Sequence, residues 1–317
     1  MTILVTGGAG FIGSHLCEHL LTNGIQVVCL DNFDDFYDPR IKEQHVRPLL
    51  EHRHFKLYRG DIRDAAILEE LFSGNRIDAV VHLAARAGVR PSIQQPGVYM
   101  DVNITGTVRL LEAMRHAGVR RFVFGSSSSI YGNQVKMPFS ETDDVGSPIS
   151  PYAASKRSGE LIAYTYHHLY AMEVACLRFF TVYGPRQRPD LAIHKFTQLA
   201  LAGEPIPLYG DGLTRRDYTF VEDIVAGIVQ VTGLPGLGFE IINLGCGQPV
   251  TLLDMVHALE QALGKRLEIN YLEKQPGDVE QTHADIRKAR DLFGYQPARS
   301  LEEGVGRFVE WYQQEHG

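Results

Sequence analysis

Tyr152 and Lys156, four residues apart, form the pair in this chain whose types and spacing most directly suggest chemistry. On a helix the i, i+4 interval brings both side chains to one face. A free phenol has a pKa of about 10 and is no base at neutral pH, but a neighbouring ammonium and a bound cation both favour its phenolate. Lowering that pKa by about 3 corresponds to roughly 4 kcal/mol of differential stabilisation, within reach of two close charges in a dry site. Upstream lies Ser126-Ser127-Ser128-Ser129-Ile130-Tyr131-Gly132, where a serine hydroxyl would set a substrate hydroxyl for proton transfer. Taken alone, Tyr-x-x-x-Lys is equally a surface pair on a helix.

The neighbouring motifs point to a dinucleotide. The first apolar run ends in Gly7-Gly8-Ala9-Gly10-Phe11-Ile12-Gly13, after which a helical pattern opens. Glycines 7, 10 and 13 follow G-x-x-G-x-x-G, in which positions without side chains let backbone N–H groups and the helix start approach a pyrophosphate. A tight strand-to-helix turn would favour the same glycines. Asp31 ends the second run, about 20 residues on, where a carboxylate would hold ribose hydroxyls; in isolation it reads as a solvated acid. Its charge opposes a 2′-phosphate, and no arginine follows before Arg40, which favours NAD over NADP. Asn32, then Asp61 and Ile62 of Gly60-Asp61-Ile62, then Leu83, Ala84 and Ala85, complete the cofactor set with Gly7, Gly10, Phe11, Ile12 and Gly13. Tyr152 and Lys156 would border the nicotinamide, whose positive charge favours the phenolate. His15-Leu16-Cys17-Glu18-His19 also fits an H-x-x-E-H zinc pattern. It belongs to the helix after the glycine turn, whose start a pyrophosphate would occupy, so no metal is expected.

These groups need elements to position them. Short runs, several of them apolar on both faces, lie over 2–6, 26–30, 55–58, 78–83, 121–125, 173–178 and 240–244, alternating with helical stretches such as 12–23 and 103–117. That alternation predicts an α/β fold, a Rossmann-type doubly wound parallel sheet covered by helices. After about Tyr183 the chain becomes loop-rich, with Pro185, Pro189, Pro205, Pro207 and Gly210-Asp211-Gly212. A helix from Thr251, a strand near 267–271 and a terminal helix opened by a Ser300/Glu303 capping box follow. Residues 1–180 are therefore read as the NAD-binding domain, with segments near 218–245 returning to it, and 181–317 mainly as a smaller C-terminal substrate-binding lobe.

The 317 residues carry a formal net charge of -7, which weighs against a nucleic-acid partner. No apolar run reaches the ~18 residues of a membrane helix, and Met1 to Gly7 run straight into strand-like sequence with no room for a signal peptide. Cys17, Cys29, Cys176 and Cys246 are widely spaced and read as buried thiols, so the cytoplasm is expected.

Through the 7–13 glycine segment, Ser127, Tyr152 and Lys156, the chain resembles the extended short-chain dehydrogenase/reductase family of NAD-dependent epimerases and dehydratases over essentially its whole length. Within that family, Ala84-Ala85-Arg86-Ala87-Gly88-Val89-Arg90, the 180–190 segment with Thr181-Val182-Tyr183-Gly184-Pro185-Arg186-Gln187-Arg188, and Asp31-Asn32-Phe33-Asp34-Asp35-Phe36-Tyr37-Asp38 are most similar to UDP-glucuronate 4-epimerases. The resemblance implies Ser127, Tyr152 and Lys156 as catalytic triad and Tyr183 beside the cofactor. It implies that Thr181, Ser128, Ser129 and Arg188 surround a sugar carboxylate; Thr181 stands where UDP-galactose 4-epimerases usually carry Asn. For the nucleotide it implies Tyr209 on uracil, Arg216 on phosphate, Asp278 on the ribose, and Arg90 and Gln275 in the same substrate set. Gln275 occupies a position where galactose epimerases often use a phosphate-binding Arg, and ordinary turn chemistry is the other reading of these loops. Helices over 103–117 and 152–170 carry more apolar and aromatic residues than one core face needs, and the family pairs such helices in a four-helix dimer interface, implying a homodimer.

The implied activity is interconversion of UDP-glucuronate and UDP-galacturonate by transient C4 oxidation with tightly bound NAD. The alternatives are a UDP-glucose/UDP-galactose 4-epimerase, a UDP-glucuronate decarboxylase, and a nucleotide-sensing protein without catalysis. Related dehydratases and decarboxylases place acids just after the catalytic Ser or Thr, where this chain has Ser128 and Ser129; the intact Tyr152/Lys156 pair weighs against a silent sensor.

Overall fold

The computed structural model describes residues 1–273 and 279–316; Gln275 and Asp278, assigned above to the substrate, lie outside them. Strands β1 (Thr2–Thr6), β2 (Gln26–Asp31), β3 (Phe55–Arg59), β4 (Ala79–His82), β5 (Arg121–Ser127), β6 (Glu173–Phe179) and β7 (Phe239–Leu244) form one sheet. Its order is β7-β6-β5-β4-β1-β2-β3, and every neighbouring pair is parallel. Each expected strand is present with its ends shifted by no more than two residues.

The helices that cover this sheet are α1 (Phe11–Thr22), α2 (Pro39–Val46), α3 (Ala65–Gly74), α4 (Gly106–His116), α5 (Pro151–Tyr170) and α6 (Val221–Gly233). Alternation along each strand divides the core in two. Ile3, Val5, Val27, Val81 and Val123 pack with Leu16 and Leu20 of α1 and Ile224 and Ile228 of α6. Leu4, Val28, Val80 and Phe122 pack on the other side with Leu68 and Leu71 of α3 and Leu110 of α4. Burial on both faces is why such strands read as continuous apolar runs.

The helix expected over 103–117 is split. Residues Asp101–Thr105 form a π-type turn, and α4 begins at Gly106, where a Cβ would meet Ile62 Cδ1 at 2.5 Å. The wider turn carries Asn103, which is buried and bonds both to the Arg86 backbone and to Ser155. π-type turns of this kind recur at functional sites.

A third cluster, with Tyr183, Phe196, Ile206, Leu208, Leu259, Phe308 and Tyr312, is built by the later part of the chain. There α7 (Leu252–Leu263) packs on α8 (Leu301–His316). The reciprocal capping box forms at Thr251 and Asp254. Ser300 accepts from the Glu303 amide at 3.2 Å, but the Glu303 carboxylate turns to Arg299, so the expected box there is half formed. The late strand is Ile269–Leu272, parallel to Ile206–Tyr209.

Candidate active site

Because β1 lies between β4 and β2, the sheet has a topological switch point there, and a crevice opens beyond the carboxyl ends of the strands. A cleft of ≈ 530 Å³ occupies that edge, a usual size for a small-molecule site. Its walls include Gly7, Gly10, Phe11, Ile12, Gly13, Asp31, Asn32, Asp61, Ile62, Leu83, Ala84 and Ala85. Ser127, Ser128, Ser129, Tyr152, Lys156, Thr181, Arg188 and Arg216 line it as well.

The glycine turn is shaped for close approach. Gly7 sits at φ +73°, and a Cβ there would meet the Ala84 nitrogen at 2.7 Å; a Cβ on Gly13 would strike the Gly7 carbonyl oxygen. The α1 N-terminus at Gly10 has no side-chain cap, which leaves first-turn amides for an anionic group. Asp31 accepts from the Ala9 amide at 3.0 Å and the Phe33 amide at 2.8 Å. A carboxylate offers about four acceptor positions, so others are left for ribose hydroxyls. Burial pushes the Asp31 carboxyl up, while the Phe33 amide, Lys42 and the Ala9 amide pull it back. Asp61, bound by Arg63 and by Asn32 Nδ2 at 2.8 Å, is drawn down to about 2. Ser129 Oγ and Arg86 Nε are buried without a hydrogen-bond partner among the described residues. The glycine cradle, uncapped helix, spare carboxylate positions and unpartnered Arg86 Nε fit a dinucleotide.

Lys42 lines this end of the cleft and was not foreseen. Its ammonium donates to the Asp34 carbonyl at 2.8 Å and stands 4.8 Å over the Tyr37 ring. A search for arginine after Asp31 overlooks a lysine that α2 folds back toward the same carboxylate. Asp34, Phe36, Tyr37 and Arg86 also line the cleft; their segments were visible in sequence, their individual roles were not.

At the other end, Ser150 caps α5, accepting from the Ala153 amide at 3.1 Å, with Pro151 at the first helical position. The next residue is Tyr152, and one turn on is Lys156. The Ser127 hydroxyl, at the end of β5, lies beside the Tyr152 hydroxyl in the same cleft. Burial raises the Tyr152 pKa; the nearby Ser127 hydroxyl and the Arg188 guanidinium draw it back. Lys156 departs from expectation. Its ammonium donates to the Gly125 carbonyl at 2.7 Å, and burial lowers its pKa to about 8. Here the cation that favours a Tyr152 phenolate is Arg188.

Behind the serines lies a buried ionic network that the sequence reading missed. Glu160 is fully buried and Arg178 is 1% exposed. Glu160 accepts from Ser126 Oγ at 2.7 Å, from Arg178 Nε and NH2 at 2.9 Å each, and from Arg157 at 3.0 Å. Arg178 also donates to the Tyr131 hydroxyl at 2.9 Å, which donates to Asn243 at 2.7 Å. The i, i+3 spacing of Arg157 and Glu160 is the only local trace of it in the sequence.

Several expected residues stand differently. Arg188 lines the cleft, yet its Nε and NH2 already grip Asp190 at 2.9 Å each. Arg90 lies 5.1 Å over the Tyr209 ring, and neither is among the described residues lining the cleft. Tyr183 is a correction: its ring is buried against Tyr218 and Phe220 and its hydroxyl donates to the Ser300 carbonyl, so it packs the later lobe instead of facing the cofactor cleft. His15 of the zinc-like pattern bonds the Pro185 carbonyl at 2.8 Å.

The chain is 45% identical over 309 residues to UDP-glucuronate 4-epimerase of Thermodesulfobacterium geofontis, spanning 97% of this chain and 95% of that one. It is 43% identical over 335 residues to UDP-glucuronate 4-epimerase 1 of Arabidopsis thaliana, spanning 100% of this chain and 78% of that one. Among solved structures it matches UDP-glucuronic acid 4-epimerase from Bacillus cereus, in complex with UDP-glucuronic acid and NAD, at a TM-score of 0.94 and 38% identity over 100% of both chains. UDP-glucose 4-epimerase from Thermotoga maritima, with UDP-glucose, matches at 0.92 and 34% over 100% of both chains. The GDP-mannose 4,6 dehydratase family matches residues 4–308, and with the glycine cradle and the Ser127–Tyr152 pair already in place, the chain belongs to that family of NAD-dependent epimerases and dehydratases.

Proposed function

We propose that the chain is a UDP-glucuronic acid 4-epimerase, interconverting UDP-glucuronate and UDP-galacturonate with bound NAD. One juxtaposition carries the reading: Tyr152, beside Ser127, feels the Arg188 guanidinium in the same cleft. In a hexuronate the carboxylate is attached to C5, next to the reacting C4. A proton acceptor for the 4-hydroxyl and a cation for the carboxylate must therefore lie side by side.

When bound, NAD supplies a reversible hydride acceptor for the sugar C4. Tyr152 accepts the 4-hydroxyl proton while Ser127 orients that hydroxyl, and Tyr152 returns the proton when the 4-keto sugar is reduced on its other face. The 4-keto uronate is a β-keto acid and can lose CO₂. Ser128, Ser129, Thr181 and Arg188 hold the carboxylate in an orientation that resists this, and no acid follows Ser127 to assist another outcome. Arg216 serves the diphosphate, Arg90 and Tyr209 the uridine side, and Gln275 and Asp278 the rest of the nucleotide. Residues 1–180, with 218–245, hold the cofactor, and 181–317 mainly form the sugar-nucleotide lobe.

Leu161 and Leu169 on α5 are 52% and 65% exposed, which supports a homodimer through a four-helix bundle. Among the described residues no helix is long and apolar enough to cross a membrane; the cytoplasm is the proposed compartment.

One observation favours a neutral sugar instead, as in a UDP-glucose/UDP-galactose 4-epimerase: Arg188 already holds Asp190. Incubation with UDP-glucuronate or with UDP-glucose, with products resolved by NMR, decides. Faster formation of UDP-galacturonate is expected, the reverse order supports the neutral-sugar reading, and no product from either overturns both.

A further inference from the structure

Any contact between the loops that leave β2 and β4 must pass across the carboxyl end of β1, because β1 lies between those two strands. One such contact exists. Asp34, three residues past the end of β2, pairs with Arg86, four residues past the end of β4. It crosses above the turn where the glycines and the first amides of α1 lie. Beside it the Phe36 ring is approached by two guanidinium groups, with Arg86 Cζ at 5.0 Å and Arg188 Cζ at 5.5 Å from its centroid.

Both ends are anchored. The Arg86 amide donates to Asn103 Oδ1 at 2.8 Å, and its carbonyl accepts from Asn103 Nδ2 at 3.0 Å. The Asp34 carbonyl takes the Lys42 ammonium, its amide donates to Asn32 Oδ1 at 3.0 Å, and its carboxylate accepts from the Phe36 amide at 2.9 Å. The side chains are 16% and 31% exposed, so water screens the pair less than it would a surface pair. Arg86 also keeps a buried Nε–H with no partner among the described residues.

We propose that the Asp34–Arg86 bridge closes over the pyrophosphate stretch of the dinucleotide cleft and retains NAD between turnovers, with the Arg86 Nε–H left for a cofactor oxygen. The inference rests on the NAD reading and adds residues to it. An epimerase regenerates its NAD in every cycle, so slow release costs no turnover. Release requires the ion pair to break and Phe36 to leave its contacts with the two guanidinium groups.

The test is exchange of bound radiolabelled NAD against excess unlabelled NAD, using the full-length protein. Arg86→Ala and Asp34→Asn should each speed exchange roughly tenfold or more, the scale on which loss of one partner of a desolvated charge pair acts on an off-rate. The charge-reversed pair Asp34→Arg/Arg86→Asp should recover part of the retention, which a nonspecific packing defect would not permit. Asp34→Asn, at the more exposed position, gives the answer should Arg86→Ala not fold. Wild-type exchange rates in both single variants overturn the bridge while leaving the NAD reading intact. A wild-type protein that takes up no NAD overturns the NAD reading, and the bridge with it.

Discussion

Replacing Glu160 by leucine tests the network behind the serines. Glu160 takes four hydrogen bonds from Ser126, Arg178 and Arg157 at 2.7–3.0 Å with no solvent exposure. Leucine has a similar volume, so little cavity forms, and the cost comes from the buried Arg178 guanidinium left without its carboxylate. Breaking a buried pair from one side costs about 3–5 kcal/mol, a large part of a whole stability of ~5–15 kcal/mol. At about 2–3 °C per kcal/mol, Tm should fall by roughly 6–15 °C. Because Ser126 precedes Ser127, turnover should fall as well. The assay is urea unfolding followed by circular dichroism, alongside the double variant Glu160→Leu/Arg178→Met, which removes the stranded charge and should recover about 2 kcal/mol or more. A loss below about 1 kcal/mol in the single variant, or a double variant no better than the single, refutes the reasoning.

Tyr152→Phe should keep NAD and UDP-sugar binding but lose at least ~10²-fold in turnover, read by steady-state kinetics beside calorimetric binding. Arg188→Ala should weaken reaction of UDP-glucuronate by about 2–4 kcal/mol in kcat/KM, far more than any reaction of UDP-glucose, and should raise a decarboxylated UDP-pentose side product; equal losses on both sugars would remove Arg188 from the carboxylate. Acid stability follows from three imidazoles that burial holds below the usual 6.5, His15 and His45 at about 4 and His82 at about 3. The unfolded chain takes up protons below pH 6.5 that the folded chain refuses, so the stability present above that pH is lost as pH falls toward 4 and 3. A Tm that holds constant from pH 7 to pH 4.5 would contradict this.

The sheet and the cofactor turn were legible because their signals are local. The seven strands announce themselves as apolar runs, and the glycine spacing reports a turn that no other residue fits. Tyr152, Lys156 and the serines were legible through spacing and position after a strand. Tyr183 was misplaced because a motif fixes where the backbone goes and not which way the side chain points. Lys42 and Arg86 escaped because one reaches the cleft from α2 and the other from the loop after β4, segments joined only in three dimensions, and Glu160 because a charge in a helix reads as solvent-facing until its partner on β6 is placed. Lys156 stood one turn from Tyr152 as expected, but the Gly125 carbonyl, a backbone atom invisible to pattern reading, takes its ammonium.

The last strand of the sheet comes late in the chain, after the loop-rich stretch that follows β6. β6 ends at Phe179 and its outer partner β7 begins at Phe239, 60 residues later. At the ribosome, where chains grow at about 5–20 residues per second, roughly 3–12 s separate the two strands. Throughout that interval Val174, Ala175, Cys176 and Leu177, all buried in the finished protein, sit on a bare hydrogen-bonding edge that any passing strand can extend. The nascent chain is therefore exposed to chaperones, or to aggregation, for a time set by translation speed through that stretch, and slow codons between residues 180 and 239 would lengthen it without changing one amino acid.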